Sequence, residues 1–207
     1  MATAATLKKL LVALVAAAFC APAAQAGLIS GLVGIVLPTC GSPSQPFAQW
    51  NDKNNYYAVP NNGLESGSGG WSLSGGAYVG SGNETYYVGG YGSRSLVLPP
   101  GASGYSPSAC INLTDPHVRA FAKSNGANGP LRMQVIFYGI TGNLLGLFNV
   151  GDQYPAGFTS WQPTTEVPSI LALPLGTSYF RVKFTSLASS GTWQVDDLYV
   201  DPWAIGG

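Results

Sequence analysis

Few side chains in this 207-residue chain could do chemistry, and their types narrow what that chemistry is. His117 is the sole histidine, and Asp115-Pro116 before it reads as a turn. A serine–histidine–acid triad would have to use it, yet no G-x-S-x-G elbow leads into a helix. One histidine with scattered acids supplies too few ligands for zinc. Two carboxylates suffice for glycoside hydrolysis, and Glu84 and Glu166 are the candidates. Both fall in loop-like surroundings, Gly82-Asn83-Glu84 and Thr165-Glu166-Val167-Pro168, rather than mid-strand. A small glycoside hydrolase is therefore the remote reading, and the chain is expected to be non-catalytic.

Binding chemistry is better supplied. Sugar recognition needs flat aromatic faces against C–H surfaces, with amides, carboxylates or guanidinium groups for the hydroxyls. Tyr86, Tyr87, Tyr91, Tyr105, Tyr138, Tyr154, Trp161 and Trp203 offer such faces. Placement comes from the clearest strand, Leu131 to Tyr138. There Leu131, Met133, Val135 and Phe137 alternate with Arg132, Gln134, Ile136 and Tyr138, and a period of two sends the sets to opposite faces. With the first set in the core, Gln134 and Tyr138 point outward. The same logic turns Arg181 and Lys183 outward from the strand around Phe180, Val182 and Phe184. Should the two strands be sheet neighbours, these side chains make a polar-aromatic patch; otherwise they sit on an ordinary solvated face.

The elements that must position these residues are short strands. Candidates are Tyr56 to Val59, Gly75 to Val79, Thr85 to Val88, Arg94 to Leu98, Cys110 to Leu113, Val118 to Ala122, Leu131 to Tyr138 and Leu144 to Phe148. Phe180 to Phe184 and Trp193, Val195, Leu198 and Val200 close the series. Ser81-Gly82-Asn83 suggests a hairpin, and Pro99-Pro100-Gly101 stops a strand. No 3.6-residue apolar stripe runs beyond two turns. About ten strands with turns between them predict an all-β fold, a two-sheet antiparallel β-sandwich of jelly-roll type.

Charged residues are 9% and aromatic residues 12% of the chain, which points to a packed core rather than disorder. Residues 1–26 read as a signal helix cleaved after Ala26, with Lys8 and Lys9, an apolar run from Leu10 to Phe19, and Ala24-Gln25-Ala26 at the cleavage site. That run falls short of the ~20 residues a membrane span needs. The expected location is outside the cell or at its surface, without stable membrane insertion. Residues 27–46 form an apolar and loop segment, and 47–203 the sandwich domain. The apolar stretch 27–39 keeps open a structural or cell-surface interaction protein of the same fold. Beyond residue 26, seven basic residues face nine acidic ones, a formal balance of −2 with no basic run. Nucleic acid and anionic membranes are thereby disfavoured. Cys40 and Cys110, the two cysteines beyond the signal, are expected to pair in an oxidising compartment. They would close a loop of about 70 residues, stabilising by up to roughly 4 kcal/mol.

Several pieces, in this order, resemble the jelly-roll carbohydrate-binding modules of the galactose-binding-like superfamily. They are Asn61-Asn62-Gly63-Leu64-Glu65, Gly67 to Gly70 and Trp71, the strand and Gly turn from Leu131 to Gly142, Trp161-Gln162-Pro163, Phe180 to Phe184, and Trp193-Gln194-Val195-Asp196-Asp197-Leu198. Leu64 stands where that family prefers Phe. The resemblance spans roughly residues 50–201. It implies a module that binds a glycan or another extracellular or cell-surface ligand, with Gln134, Tyr138, Trp161 and Arg181 on its binding surface. It further implies a structural calcium held by Glu65, Asp196 and Asp197, since calcium takes several oxygen ligands, carboxylates among them. Otherwise one Asp caps a turn and the other faces water.

Overall fold

A computed structural model describes residues 40–110, 117–153, 158–165, 167–168 and 174–201. All belong to one compact unit, Leu37–Gly207. The signal region 1–26, the segment 27–39, Glu166, Tyr154 and Trp203 lie outside the described residues.

Among the described residues, twelve strands follow in order: β1 (Tyr57–Ala58), β2 (Ser72–Ser74), β3 (Tyr78–Ser81), β4 (Arg94–Leu98), β5 (Ser103–Tyr105), β6 (His117–Asn125), β7 (Leu131–Gly139), β8 (Leu144–Gln153), β9 (Gln162–Pro163), β10 (Val167–Pro168), β11 (Thr177–Ser186) and β12 (Thr192–Asp201). One sheet has five strands, ordered β2-β5-β11-β7-β8. The other has seven, with β10-β6-β12-β4-β3 as its path, β1 beside β12 and β9 beside β6. The strands of both sheets pair antiparallel. The one helical segment among the described residues is a 3-10 turn, Ala48–Trp50. This is the expected two-sheet sandwich.

Alternation builds the core. Leu131, Met133, Val135 and Phe137 of β7 and Phe180, Val182 and Phe184 of β11 are all fully buried. They meet Leu96, Leu98, Val118, Trp193, Val195, Leu198 and Val200 from the other sheet. Each such side chain contributes about 1.5–3 kcal/mol by leaving water. Trp71 caps one end of this layer, its ring stacked 6.4 Å from Phe184.

A second, smaller core lies on the outer face of the seven-stranded sheet. Phe47, Tyr56, Phe121, Trp161 and Tyr199 form it, with Trp50 and Val88 packed against them. The segment that brings Phe47 and Trp50 is anchored by an antiparallel bridge from Ser44 to Tyr56 and by the Cys40–Cys110 disulfide. Arg119, pointing outward from β6, is roofed by this cluster. It pairs with Asp52 at 2.6 Å, donates to Thr164 O at 3.1 Å, and lies 4.4 Å from the Phe47 ring centroid.

Several expected strands are corrected. Thr85 to Val88 is not a strand but a loop, because its backbone N–H groups turn inward onto the Glu84 carboxylate. The strand placed at Gly75 to Val79 runs instead from Tyr78 to Ser81, after Gly75 and Gly76 bend the chain with positive φ. β2 and β5 lie in Gly- and Ser-rich stretches without strand signal and form by pairing with each other and, through β5, with β11.

Candidate functional site

β7 and β11 are neighbours in one sheet, with Phe180 opposite Phe137 and Lys183 opposite Gln134. Their outward residues therefore share a face. Across the sheet, Tyr105 on β5, Lys183 on β11, Gln134 on β7 and Asn149 on β8 fall in one row. The row spans three inter-strand spacings, roughly 14 Å. Nearer the end of β7, Tyr138 and Tyr179 are cross-strand partners with rings stacked 5.1 Å apart at 11°. Arg181 and Ile136 sit between the two groups, again opposite each other. Gln134, Tyr138, Tyr179, Arg181, Lys183 and Tyr105 are all partly exposed, whereas Ile136 is buried beneath its neighbours.

Local bonds hold Arg181 and Arg132 in place on this face. Arg181 donates from Nε to Ser106 O, and from Nη2 to Ser72 Oγ at 3.0 Å and Tyr105 O at 3.3 Å. Its guanidinium carbon lies 5.7 Å from the Tyr105 ring centroid, and Lys183 Nζ lies 5.1 Å from it. Arg132, at the far end of β7, is paired with Asp152 through two bonds of 2.7 and 2.8 Å. That hydrogen bonding keeps the Asp152 carboxyl below its usual range. Burial pushes the Tyr138 hydroxyl up, against the pull of Arg181.

The second candidate site is acidic. β12 carries a register shift between Asp196 and Tyr199, and Asp197 adopts φ 47° there. The bulge turns both carboxylates to the loop 83–93. Asp196 Oδ2 accepts from Glu84 N at 2.8 Å and Oδ1 from Asp197 N at 2.9 Å. Asp197 accepts from Gly89 N at 2.9 Å and Asn62 Nδ2 at 3.3 Å. Glu84 accepts from Tyr86 N and, at 2.7 Å, from Val88 N. Glu65 accepts from Ser93 N and Arg94 N, both at 2.8 Å. Glu84 and Asp196 are wholly buried and Asp197 nearly so. Burial, with the charge of Asp197 beside it, raises Asp196 to about 8. Burial and the charge of Glu84 raise Asp197 to about 6, and burial raises Glu84 as well. Among the described residues no lysine or arginine pairs with any of the three.

Glycine lets the loop come this close. A Cβ on Gly89 would run into the Asp197 carboxylate, and one on Gly92 into Asn83 Oδ1 and Glu65 Oε1. The resulting cavity, about 280 Å³, is lined by Asn61, Asn62, Glu65, Asn83, Tyr91 and Asp197 among others. A separate cavity of about 410 Å³ along β3 and β4 contains none of the sequence-predicted site residues.

The structure thus brings Gln134, Tyr138 and Arg181 together, and separately Glu65 with Asp197. Trp161 is a correction. It is 5% exposed within the aromatic cluster on the other sheet, so it shows no ring face to a ligand. Asp196 does not line the cavity that Glu65 and Asp197 share, and its two oxygens accept from Glu84 N and Asp197 N. Glu84, the glycosidase candidate, is buried and tied to its own loop, out of reach of a substrate. Tyr179 was missed, although carrying the β11 alternation one step back from Arg181 places it outward. Asn83 and Glu84 were missed as partners of the aspartates, because only the fold brings residue 84 to residue 196. One signal was present: Val195 and Leu198 are both apolar but three apart, a break in the period of two that requires a bulge.

No protein-family model matches the chain, and no curated protein matches it. Solved structures do. The enzymatically active domain of bacteriophage CBA120 tailspike protein 4 aligns with a TM-score of 0.51 and 14% identity, over 69% of this chain and 21% of that one. The CBM22-1–GH10 modules of Clostridium thermocellum endo-1,4-β-D-xylanase 10B, complexed with xylohexaose, align at 0.50 and 14%, over 70% of this chain and 28% of that one. The chain has the jelly-roll fold of carbohydrate-binding modules. A xylan-binding CBM22 domain aligns at 0.47 and 15%, over 74% of this chain and 99% of that one. The chain spans well under a third of the tailspike and xylanase chains.

Proposed function

We propose that this is an exported, non-catalytic module that binds a polysaccharide on the outer face of its five-stranded sheet. One observation carries the reading: the pairing of β7 with β11, which lines up Tyr138 and Tyr179 beside Gln134, Arg181, Lys183 and Tyr105. Tyrosine rings pack against the C–H face of a sugar, while the amide and cations reach its hydroxyls. Arg181, partly exposed and held by bonds to β2 and β5, loses little freedom on binding. A fold shared with part of a xylanase that carries CBM22-1 and GH10 modules, solved with xylohexaose, is in keeping with this reading. Titration of the full chain against a polysaccharide panel tests it. Tyr138→Ala is expected to weaken binding on the order of tenfold, about 1.4 kcal/mol. Failure of the unaltered protein to bind any polysaccharide would refute the reading.

We propose that the acidic cluster holds a structural calcium ion. Its carboxylate and amide oxygens are the hard donors calcium takes, and among the described residues its buried carboxylates have no cationic side chain to balance them. Glu65, Asp197 and Asn83, which line the cavity, would hold the ion. Among the described residues, no three His, Cys, Asp or Glu side chains form a ready-made metal cage. Donor chemistry and the missing counter-charge therefore support the assignment.

A further inference from the structure

We infer that the polysaccharide taken by the five-stranded sheet is anionic, bearing carboxylate or sulfate groups. The inference rests on the glycan-binding reading of that face and adds the class of sugar. It starts from the separation of charge on the molecule. The buried acids Glu84, Asp196 and Asp197 gather at the bulge in β12 and the loop facing it. The strands of the five-stranded sheet carry Arg132, Asp152, Arg181 and Lys183 as their ionisable acids and bases other than tyrosine.

Arg132 and Asp152 neutralise each other. Arg181 and Lys183 remain, two residues apart on β11 and so on the same side of the sheet. Among the described residues neither has an acidic partner. Both cations flank the Tyr105 ring instead. Arg181 spends Nε and Nη2 on Ser106, Ser72 and Tyr105, which fixes its position; among the described residues Nη1 has no partner and can meet a ligand.

A neutral sugar would meet these cations only through hydroxyls, and two unbalanced positive charges would gain little from it. An acidic sugar stacked near Tyr105 or Tyr138 places its anionic group within reach of Lys183 Nζ and Arg181. A charge-assisted hydrogen bond is roughly twice as strong as a neutral one. The formal balance is zero over the whole chain and −2 beyond residue 26, so the attraction is local to this face rather than a property of the whole surface.

The test is titration of the full chain with polygalacturonate, dextran sulfate, and neutral xylan and galactan, at about 0.05 M and about 0.5 M salt. Polygalacturonate, dextran sulfate or both should bind at least about threefold more tightly than the neutral polymers at low salt, and lose that advantage at high salt. A preference for polygalacturonate assigns a carboxylate, and a preference for dextran sulfate assigns a sulfate ester. Lys183→Gln keeps the strand and removes the charge; it should erase the preference by lowering affinity for the acidic polymers several-fold more than for the neutral ones. Arg181→Lys provides a second variant that retains the charge and should keep the preference in part. Equal binding of neutral and acidic polymers, or a preference unmoved by Lys183→Gln, overturns the inference and leaves the glycan reading standing. Binding of no polymer at all overturns both.

Discussion

The two outer faces of the sandwich treat an outward-pointing arginine in opposite ways. On the seven-stranded sheet, Arg119 leaves β6 toward what the strand pattern alone would read as solvent. It ends beneath Phe47, clamped to Asp52 and 7% exposed. On the five-stranded sheet, Arg181 leaves β11 in the same manner and stays partly exposed, with no acid to meet it among the described residues. The difference lies in what the rest of the chain does. The disulfide-anchored segment from Cys40 to Tyr56 and the loop carrying Tyr86 and Val88 lie over one face, and Trp161 completes the cover. The described elements leave the outward tyrosines and cations of the other face partly exposed. An outward position on a strand is thus only a candidate for solvent. Whether it binds a ligand or a neighbouring segment depends on chain that arrives from elsewhere.

The largest expected effect comes from opening the covered face. Asp52→Ala leaves the Arg119 guanidinium buried without its counter-ion and should cost about 3–5 kcal/mol in denaturant unfolding. A loss below about 1 kcal/mol would mean that the cover is loosely packed and would remove the contrast between the faces.

Next in size is the acidic cluster, which belongs to the covered side. The loop whose Tyr86 packs edge-on against Trp50 at 4.7 Å also wraps Glu84 and Asp197. Asp196 at about 8 and Asp197 at about 6 hold protons in the fold that the unfolded chain releases near 3.8. Their protonated forms therefore contribute stability at low pH that is lost as pH rises through about 6 and then about 8. In a chelator, thermal melts from pH 5 to pH 8 should record a decline on the order of a few kcal/mol. Calcium should restore stability at the upper end, where it replaces the lost protons. A flat profile, unmoved by calcium, would count against both the ion and the raised carboxyls.

The smallest effect on stability belongs to the open face. Tyr179→Ala removes a partly exposed ring from the Tyr138 stack and should cost no more than about 1 kcal/mol in unfolding, while weakening polysaccharide binding. A stability loss matching that of Asp52→Ala would make this face a structural surface instead of a binding one.

The sequence by itself determined the sandwich. Residue alternation in β7 and β11 places Met133, Phe180 and Val182 inside and Gln134, Tyr138 and Arg181 outside, because successive side chains on a pleated strand must oppose one another. It also named the two cysteines that pair. Only the tertiary structure decided which strands are neighbours, that Trp161 and Arg119 are roofed over, and that Glu84 meets Asp196 across a separation of 112 residues. Alternation is a local rule written every second residue. Covering a face or gathering carboxylates at a bulge joins segments distant along the chain, and that follows from the packing of the whole.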